Sequence, residues 1–377
     1  MMASIHPLTN DSLAYYESGC QHSRKWHCGG ILLLLMLAQL LTAYKATAQQ
    51  EIRFGVLGLF HPKVLVLQIE GRQVLCISAR SGTADSAYIL NGEPGHQKVT
   101  FRVKNGRVDA ESRAASNWTA TARDGKAAAF QLTVPGKFYR IYNGRLSIQA
   151  HNGELLAVVT MDRETAVASI VAAEMNERAP MEALKAQAVA TRSFLSAGAR
   201  HSDFDFCDTT HCQFLKSPPS LSSRIFSAVQ ATRGFVIAYR GKPLAAMYSS
   251  RCGGQTRSLL DVGMEPGEGY PYFAVQCAWC RQHPFTWNSL VRKSGKPPVR
   301  NEESNRIMEA RQWGWSAIPG SDFTATDDRD KWKLEGHSIG HGVGMCQLGA
   351  IGMADTGASF REILSHYYPN TMLIQLP

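Results

Sequence analysis

One carboxylate stands where the apolar pattern asks for a hydrophobe. Val167, Ile170, Val171 and Met175 recur at helical spacing, and the i+7 position on that face is Glu174. Ionising a carboxyl in an apolar stripe is costly, so its pKa should rise, and a carboxyl still protonated near neutral pH can act as a general acid. A buried Glu satisfied by a nearby cation is the structural alternative. Arg192, in the following helix, could pair with Glu174 or contact a substrate; an exposed arginine is its bland reading.

Two thiol clusters and a glycine-dense loop follow. His201, Cys207, His211 and Cys212 fall within twelve residues, and imidazole with thiolate suits tetrahedral zinc; a Cys207–Cys212 disulfide competes with that reading. Cys277 and Cys280, spaced CxxC, with Cys252 upstream, could be a redox pair, a disulfide framework or half a metal site, and disulfide chemistry is the favoured expectation. In GHSIGHGVGMCQLGAIGMADTG, from Gly336 to Gly357, His337 and His341 are four apart. Glycines at 336, 340, 342 and 344 argue against a helix there, so the expectation is a loop holding His341 near a ligand, running into a helix from about 345 to 354.

The elements that must position these groups read as an α+β chain, a β-rich N-terminal portion followed by a mixed helix/strand domain. From 49 to 148, short β-like runs alternate with Gly, Asn and Asp turns, and no catalytic constellation is present. Helical spacing begins at Glu164, breaks over 176–179, and resumes after Pro180 in MEALKAQAVATRSFL. A hairpin is expected around Arg240-Gly241-Lys242, and a last helix from Phe360 to Leu364 before His366-Tyr367-Tyr368-Pro369, whose tyrosines either contact the wall or pack in the core. The stretch from Arg281 to Lys331 reads as irregular. The expected organisation is therefore 1–48, 49–148 and 149–377.

Residues 31–43 form an uncharged apolar run of 13 residues, preceded by Arg24 and Lys25 and followed by Ala46-Thr47-Ala48. That pattern predicts a secretory signal, with an uncleaved anchor as the alternative. The remainder carries 37 basic against 29 acidic residues, a charge of +8, and seven of the nine cysteines. This charge is compatible with an anionic wall polymer. No Lys/Arg run interleaved with aromatics points to nucleic acid, no later stretch approaches a membrane span, and a hydrophobic fraction of 44% excludes a disordered chain.

Taken together and in order, VASIVAAEM, PMEALKAQAVATRSF, FCDTTHCQ, TRGFVIAYRGKPLAAMYSSRCGGQT, YPYF, GHGVGMCQLGAIGMA and ILSHYYP resemble the stage II sporulation protein D family, which includes amidase-enhancer proteins. The resemblance covers roughly 140 to 377. It implies an exported lytic transglycosylase that cleaves peptidoglycan glycan strands, preferably stripped of stem peptides, in the periplasm or cell envelope. It puts the catalytic glutamate at Glu174 and an arginine at Arg192. Contacts to glycan are expected from Tyr248, Tyr272, His341, Gln347, Tyr367 and Tyr368. Some members carry zinc in the segment matching His201, Cys207, His211 and Cys212, although the spacing from Cys207 to His211 is slightly short here. Cys346 replaces a more usual Ser, and Leu348 a more usual Tyr. The rival implied reading is a non-catalytic wall-binding activator of a cell-wall amidase; a zinc hydrolase is a third.

Overall fold

The computed structural model describes residues 51–377 except 72, 82–83, 92, 94–96, 266–268, 294–297 and 299–302; the signal-like segment 1–48 lies outside the described residues. Eleven strands come first: β1 (Glu51–Val56), β2 (Val64–Ile69), β3 (Leu75–Ser81), β4 (Ala84–Leu90), β5 (Lys98–Lys104), β6 (Arg107–Ala110), β7 (Arg113–Ala115), β8 (Asn117–Ala122), β9 (Ala128–Val134), β10 (Phe138–His151) and β11 (Glu154–Asp162). Alternating burial along β9, β10 and β11 sends every second side chain into one core, the period-2 pattern of a half-buried sheet. The 14-residue β10 is the shared strand. Its first half pairs with β9, and its second half pairs with β11 on one side and β8 on the other. The change falls at Gly144, where a Cβ would stand 2.5 Å from the Thr160 carbonyl oxygen, so only glycine lets the strands approach this closely.

Helices α1 (Arg163–Glu174) and α2 (Met181–Ser196) follow, matching the two helical runs read from spacing. Asp162 caps α1 by accepting from the N–H groups of Glu164 and Thr165, and Pro180 sits at the N-cap of α2 rather than inside its first turn. The expected boundary at 148/149 falls inside β10, and one apolar core runs from Phe54 and Leu65 in the strands to Val167 and Ile170 in α1 and on to Leu184 in α2. The β-rich portion and the helices are therefore packed on a common core, because a sheet with one apolar face must bury it and α1 and α2 supply the cover.

α2 is buried on nearly every side. Ala183, Leu184 and Ala188 enter the first core, while Ala186, Val189 and Ala190 enter a second. That second core also takes in α6 (Gln347–Asp355) and α7 (Phe360–Tyr367). The remaining elements are β12 (Phe206–Cys207), α3 (Arg224–Ala231), β13 (Phe235–Tyr239), β14 (Lys242–Pro243), β15 (Tyr248–Ser249), α4 (Ala278–Gln282), β16 (Trp287–Arg292), α5 (Glu303–Trp313), β17 (Phe323–Asp328), β18 (Lys331–Gly336), β19 (Met345–Cys346) and β20 (Met372–Gln375). The hairpin at Arg240-Gly241 forms as expected, with both residues at positive φ, but only Lys242–Pro243 pairs back. The segment 281–331, expected to be irregular, contains α5 and the strands β16 and β17. With β18 these strands make a three-stranded sheet over a small core of Trp287, Val291, Ile318, Phe323 and Leu334. No helix among the described residues is long and apolar enough to cross a membrane.

Arg192 lies where both cores meet α2, with no exposed surface. Its Nε and Nη2 donate to the two carboxylate oxygens of Glu164 at 2.8 and 2.6 Å, and its other hydrogens reach the carbonyls of Phe235 and Val229. The expected pairing with Glu174 or with substrate is thus corrected: Arg192 is bound bidentately to Glu164, in the first turn of α1, and ties α1, α2, α3 and β13 together. Removing one partner of a buried pair strands the other charge, which costs about 3–5 kcal/mol, whereas replacing both by apolar groups is often near neutral. Arg192→Ala should lose stability on that scale in urea denaturation, and Arg192→Met with Glu164→Leu should recover most of it.

Candidate active site

Glu174 is the last residue of α1, and the chain turns extended at Met175. It lies at the edge of a cleft of about 370 Å³ whose wall also contains Gln213, Tyr248, Arg306, His341 and Gln347. Among the described residues lining this cleft, Glu174 is the one carboxylate. Burial pushes its pKa up; a hydrogen bond from Gln347 and the positive charge of Lys216 pull it partly back. Its place at a helix C-terminus, where partial negative charge gathers, also disfavours the carboxylate.

The amide of Gln347 is held by its neighbours. Its Nε2 donates to Glu174 Oε2 at 3.2 Å and to Gln187 Oε1 at 3.3 Å. Gln187 in turn donates to the Thr191 hydroxyl at 3.3 Å, and both are fully buried on α2. Two amide hydrogens therefore meet two acceptors, which fixes the orientation of the group that faces the carboxyl. Tyr248 donates its hydroxyl to Gln213 Oε1, and burial, reinforced by the nearby Glu174 charge, keeps its pKa well above the ordinary tyrosine value.

Backbone geometry brings these side chains side by side. β15 and β19 pair in parallel, matching Tyr248 with Met345 and Ser249 with Cys346, so Gln347 emerges next to Tyr248. The glycine-dense loop leading into β19 is a loop, as expected, with Gly340, Gly342 and Gly344 all at positive φ. At Gly344 a Cβ would stand 2.0 Å from the Met247 carbonyl oxygen, a contact no other residue could make. His341 lines the cleft; its Nδ1 accepts from the Val343 N–H at 3.0 Å, which assigns the proton of the neutral ring to Nε2. His337 does not join it: that ring is exposed and contacts the Phe285 carbonyl and the Thr286 hydroxyl.

Three of the tyrosines expected at the glycan lie elsewhere. Tyr367 and Tyr368 are buried in the second core, with Tyr368 donating to the Met247 carbonyl oxygen at 2.7 Å. Tyr272 is also buried and donates its hydroxyl to the Ala245 carbonyl. Tyr272 and Tyr368 hold the 245–247 segment from behind, because a buried phenol needs a hydrogen-bond partner, whereas the Tyr367 hydroxyl lies 3.4 Å from Cys277 Sγ. Sequence reasoning missed Gln187 and Gln213, and missed Arg306 and Trp315, which enter the cleft from the part of the chain read as irregular. The Arg306 guanidinium lies 5.7 Å from the Trp315 ring centre and donates to the Ile318 carbonyl oxygen.

His201, Cys207, His211 and Cys212 converge, with one ligand atom from each lying within 4.8 Å of all the others. Within the set, His201 Nε2 lies 3.2 Å from Cys212 Sγ, His211 Nδ1 lies 3.4 Å from Cys212 Sγ, and Cys207 Sγ lies 3.7 Å from His211 Nδ1. Both thiols are free rather than joined in a disulfide. In a tetrahedral zinc site with usual bond lengths, neighbouring donors are about 3.3–3.8 Å apart, so this Cys2His2 set fits such an ion to within a few tenths of an ångström. The loop is fastened from the β-rich side: β12 pairs in parallel with β1, and Asp208, next to Cys207, makes a buried ion pair with Arg140 of β10 at 2.8 Å. Thr210, Cys212, Gln213 and Phe214 from the same loop line the cleft.

The family model for stage II sporulation protein matches residues 151–239, from the end of β10 through α1, α2 and the His/Cys loop to β13. An uncharacterized protein of Brachyspira hyodysenteriae is 30% identical over 263 residues, covering 60% of this chain and 70% of its own. Stage II sporulation protein D of Bacillus amyloliquefaciens is 27% identical over 355 residues, 81% of this chain and 91% of that one. The amidase enhancer of Bacillus subtilis is 25% identical over 285 residues, 54% of this chain and 39% of its own. With the motifs in the same order along the chain, the protein belongs to the stage II sporulation protein D family.

Proposed function

We propose that the protein is a lytic transglycosylase acting on peptidoglycan glycan strands in the cell envelope, with Glu174 as its single acid/base. A role at the cell wall is supported by the family and by the names of its relatives. The observation that carries the finer reading is a half-buried carboxyl with raised pKa in a cleft that offers no second carboxylate among its described lining residues. Ordinary glycosidases use two carboxyl groups, one as acid and one as nucleophile or base. A lytic transglycosylase needs one, because the C6 hydroxyl of the muramoyl residue is the nucleophile.

In this mechanism protonated Glu174 gives its proton to the glycosidic oxygen as the C1–O bond breaks. The resulting carboxylate then takes the proton of the C6 hydroxyl as that oxygen bonds to C1, which closes a 1,6-anhydro ring and restores the acid without water. Gln347 steadies the carboxylate between the two steps. Tyr248 and His341 offer hydrogen-bonding groups to the sugar, and the Arg306–Trp315 wall offers a cation and an aromatic face. A zinc ion on His201, Cys207, His211 and Cys212 would stabilise the loop that forms one side of the cleft.

A second reading, activation of an amidase without glycan cleavage, is favoured by the name of the amidase enhancer alone. Glu174→Gln separates the two. On purified peptide-free strands it should abolish anhydromuramoyl products, seen by mass spectrometry, while circular dichroism stays native; cleavage persisting at the wild-type rate would sink the assignment.

Electrostatics gives two more outcomes. Activity requires Glu174 protonated, so it should fall as pH rises through the native pKa, and Gln347→Leu, which removes a hydrogen bond favouring the carboxylate, should move that limb to higher pH. The same raised pKa costs stability once the group ionises. Stability associated with neutral Glu174 is complete below the unfolded-state pKa and is lost as pH rises through the native one. Thermal melts should therefore show Glu174→Gln equal to wild type near pH 4 and more stable at pH 8.

A further inference from the structure

A second cluster of metal-ligating side chains lies behind the cleft, away from the His/Cys loop. Cys252, Cys277, Cys280 and Cys346 are all buried, at 4%, 1%, 2% and 0% exposure, and all four sulfurs lie within 4.8 Å of one another. None is in a disulfide. The Cys280 and Cys346 sulfurs are 3.6 Å apart, far beyond the roughly 2.05 Å of an S–S bond and close to the roughly 3.8 Å edge of a tetrahedron of thiolates around zinc. Sulfurs ligating a multi-iron cluster would be spread more widely than around a single ion. We propose that these four cysteines form a tetrathiolate site for one zinc ion, separate from the cleft and from the His201–Cys212 loop.

The surroundings suit thiolates rather than four thiols packed as hydrophobes. Cys346 is the N-cap of α6, and its sulfur accepts the Gly349 N–H at 3.4 Å, so the charge meets the positive end of a helix. The Tyr367 hydroxyl lies 3.4 Å from Cys277 Sγ, placed to donate to it. Space is made for this arrangement by glycines on α6. A Cβ at Gly349 would stand 2.0 Å from the Tyr367 hydroxyl and 2.6 Å from Cys277 Sγ, and one at Gly352 would stand 2.5 Å from the Trp279 ring. Binding forms four Zn–S bonds and releases up to four protons from the thiols to solvent; no electron transfer is involved.

The ion's consequence for the cleft follows from chain position. Cys346 immediately precedes Gln347, the partner of Glu174, and Cys252 lies two residues beyond Ser250 on the cleft wall. The ion thus clamps, from behind, two of the segments that carry cleft residues, and joins them to α4.

The test uses the full chain purified without chelator, together with Cys207→Ser/Cys212→Ser and Cys280→Ser/Cys346→Ser. Zinc is counted by plasma mass spectrometry, and each cysteine's state is read by alkylation and peptide mapping. Cys207→Ser/Cys212→Ser should keep one zinc per chain, and Cys280→Ser/Cys346→Ser should carry one zinc fewer than the full chain. In the full chain, Cys252, Cys277, Cys280 and Cys346 should be reduced yet resist alkylation until chelator and denaturant are added. Because the second variant removes two core thiols and can fail to fold, the first is also loaded with Co2+, whose ligand-field spectrum should be that of a tetrathiolate. Disulfides among the four cysteines, iron in place of zinc, or a folded Cys207→Ser/Cys212→Ser protein without metal would each overturn the proposal. None of these readouts depends on glycan cleavage, so the site stands or falls apart from the activity assigned to Glu174.

Discussion

The arrangement turns on one constraint: a carboxyl group is kept poorly solvated at the end of a helix, with a side-chain amide to receive its charge. Burial and the helix terminus both favour the neutral acid, and the Gln347 hydrogen bond limits how far that preference goes. A group balanced in this way can give and regain a proton within one turnover. For that balance to hold, α1, α2 and the start of α6 must be fixed relative to one another, and most of the surrounding structure contributes to fixing them. The buried Arg192–Glu164 pair locks α1 to α2, the Thr191–Gln187–Gln347 chain locks α2 to α6, and the parallel β15–β19 pairing sets Tyr248 beside them.

Seen from this constraint, the β-rich portion is a support for the site as well as a module of its own. It shares its core with α1 and α2. Through the β1–β12 pairing and the Arg140–Asp208 ion pair it also anchors the His/Cys loop that makes one wall of the cleft. The two cysteine clusters flank the cleft differently, one within its wall and one behind it. Each joins segments that are short and irregular, which is where the fold has little regular hydrogen bonding with which to hold a loop.

How much of this was legible depended on whether a signal was local. Glu174 was legible because the apolar period of α1 made a carboxylate at i+7 conspicuous, and the structure does put that residue at the cleft. The glycine pattern before Met345 correctly argued for a loop. Arg192 was misjudged because its partner, Glu164, is 28 residues away and a helix pattern does not report which neighbouring element a long side chain reaches. For Tyr367 the core reading holds: with Ile363 and Leu364 it completes the i, i+1, i+4 apolar face of α7, all three buried. The tetrathiolate cluster could be suspected from Cys277 and Cys280 with Cys252 upstream, but Cys346, read only as a departure from the family's usual Ser, is 94 residues from Cys252, and only the fold shows that it completes the set.

The proposed reaction breaks a glycosidic bond with one carboxyl group and without water as nucleophile. The most direct measurement is digestion of peptide-free glycan strands in 18O-enriched water, followed by mass spectrometry of the new chain ends. Attack by the C6 hydroxyl should leave 1,6-anhydro ends carrying no 18O. Reducing ends labelled with 18O would show that water attacks C1, and would contradict it.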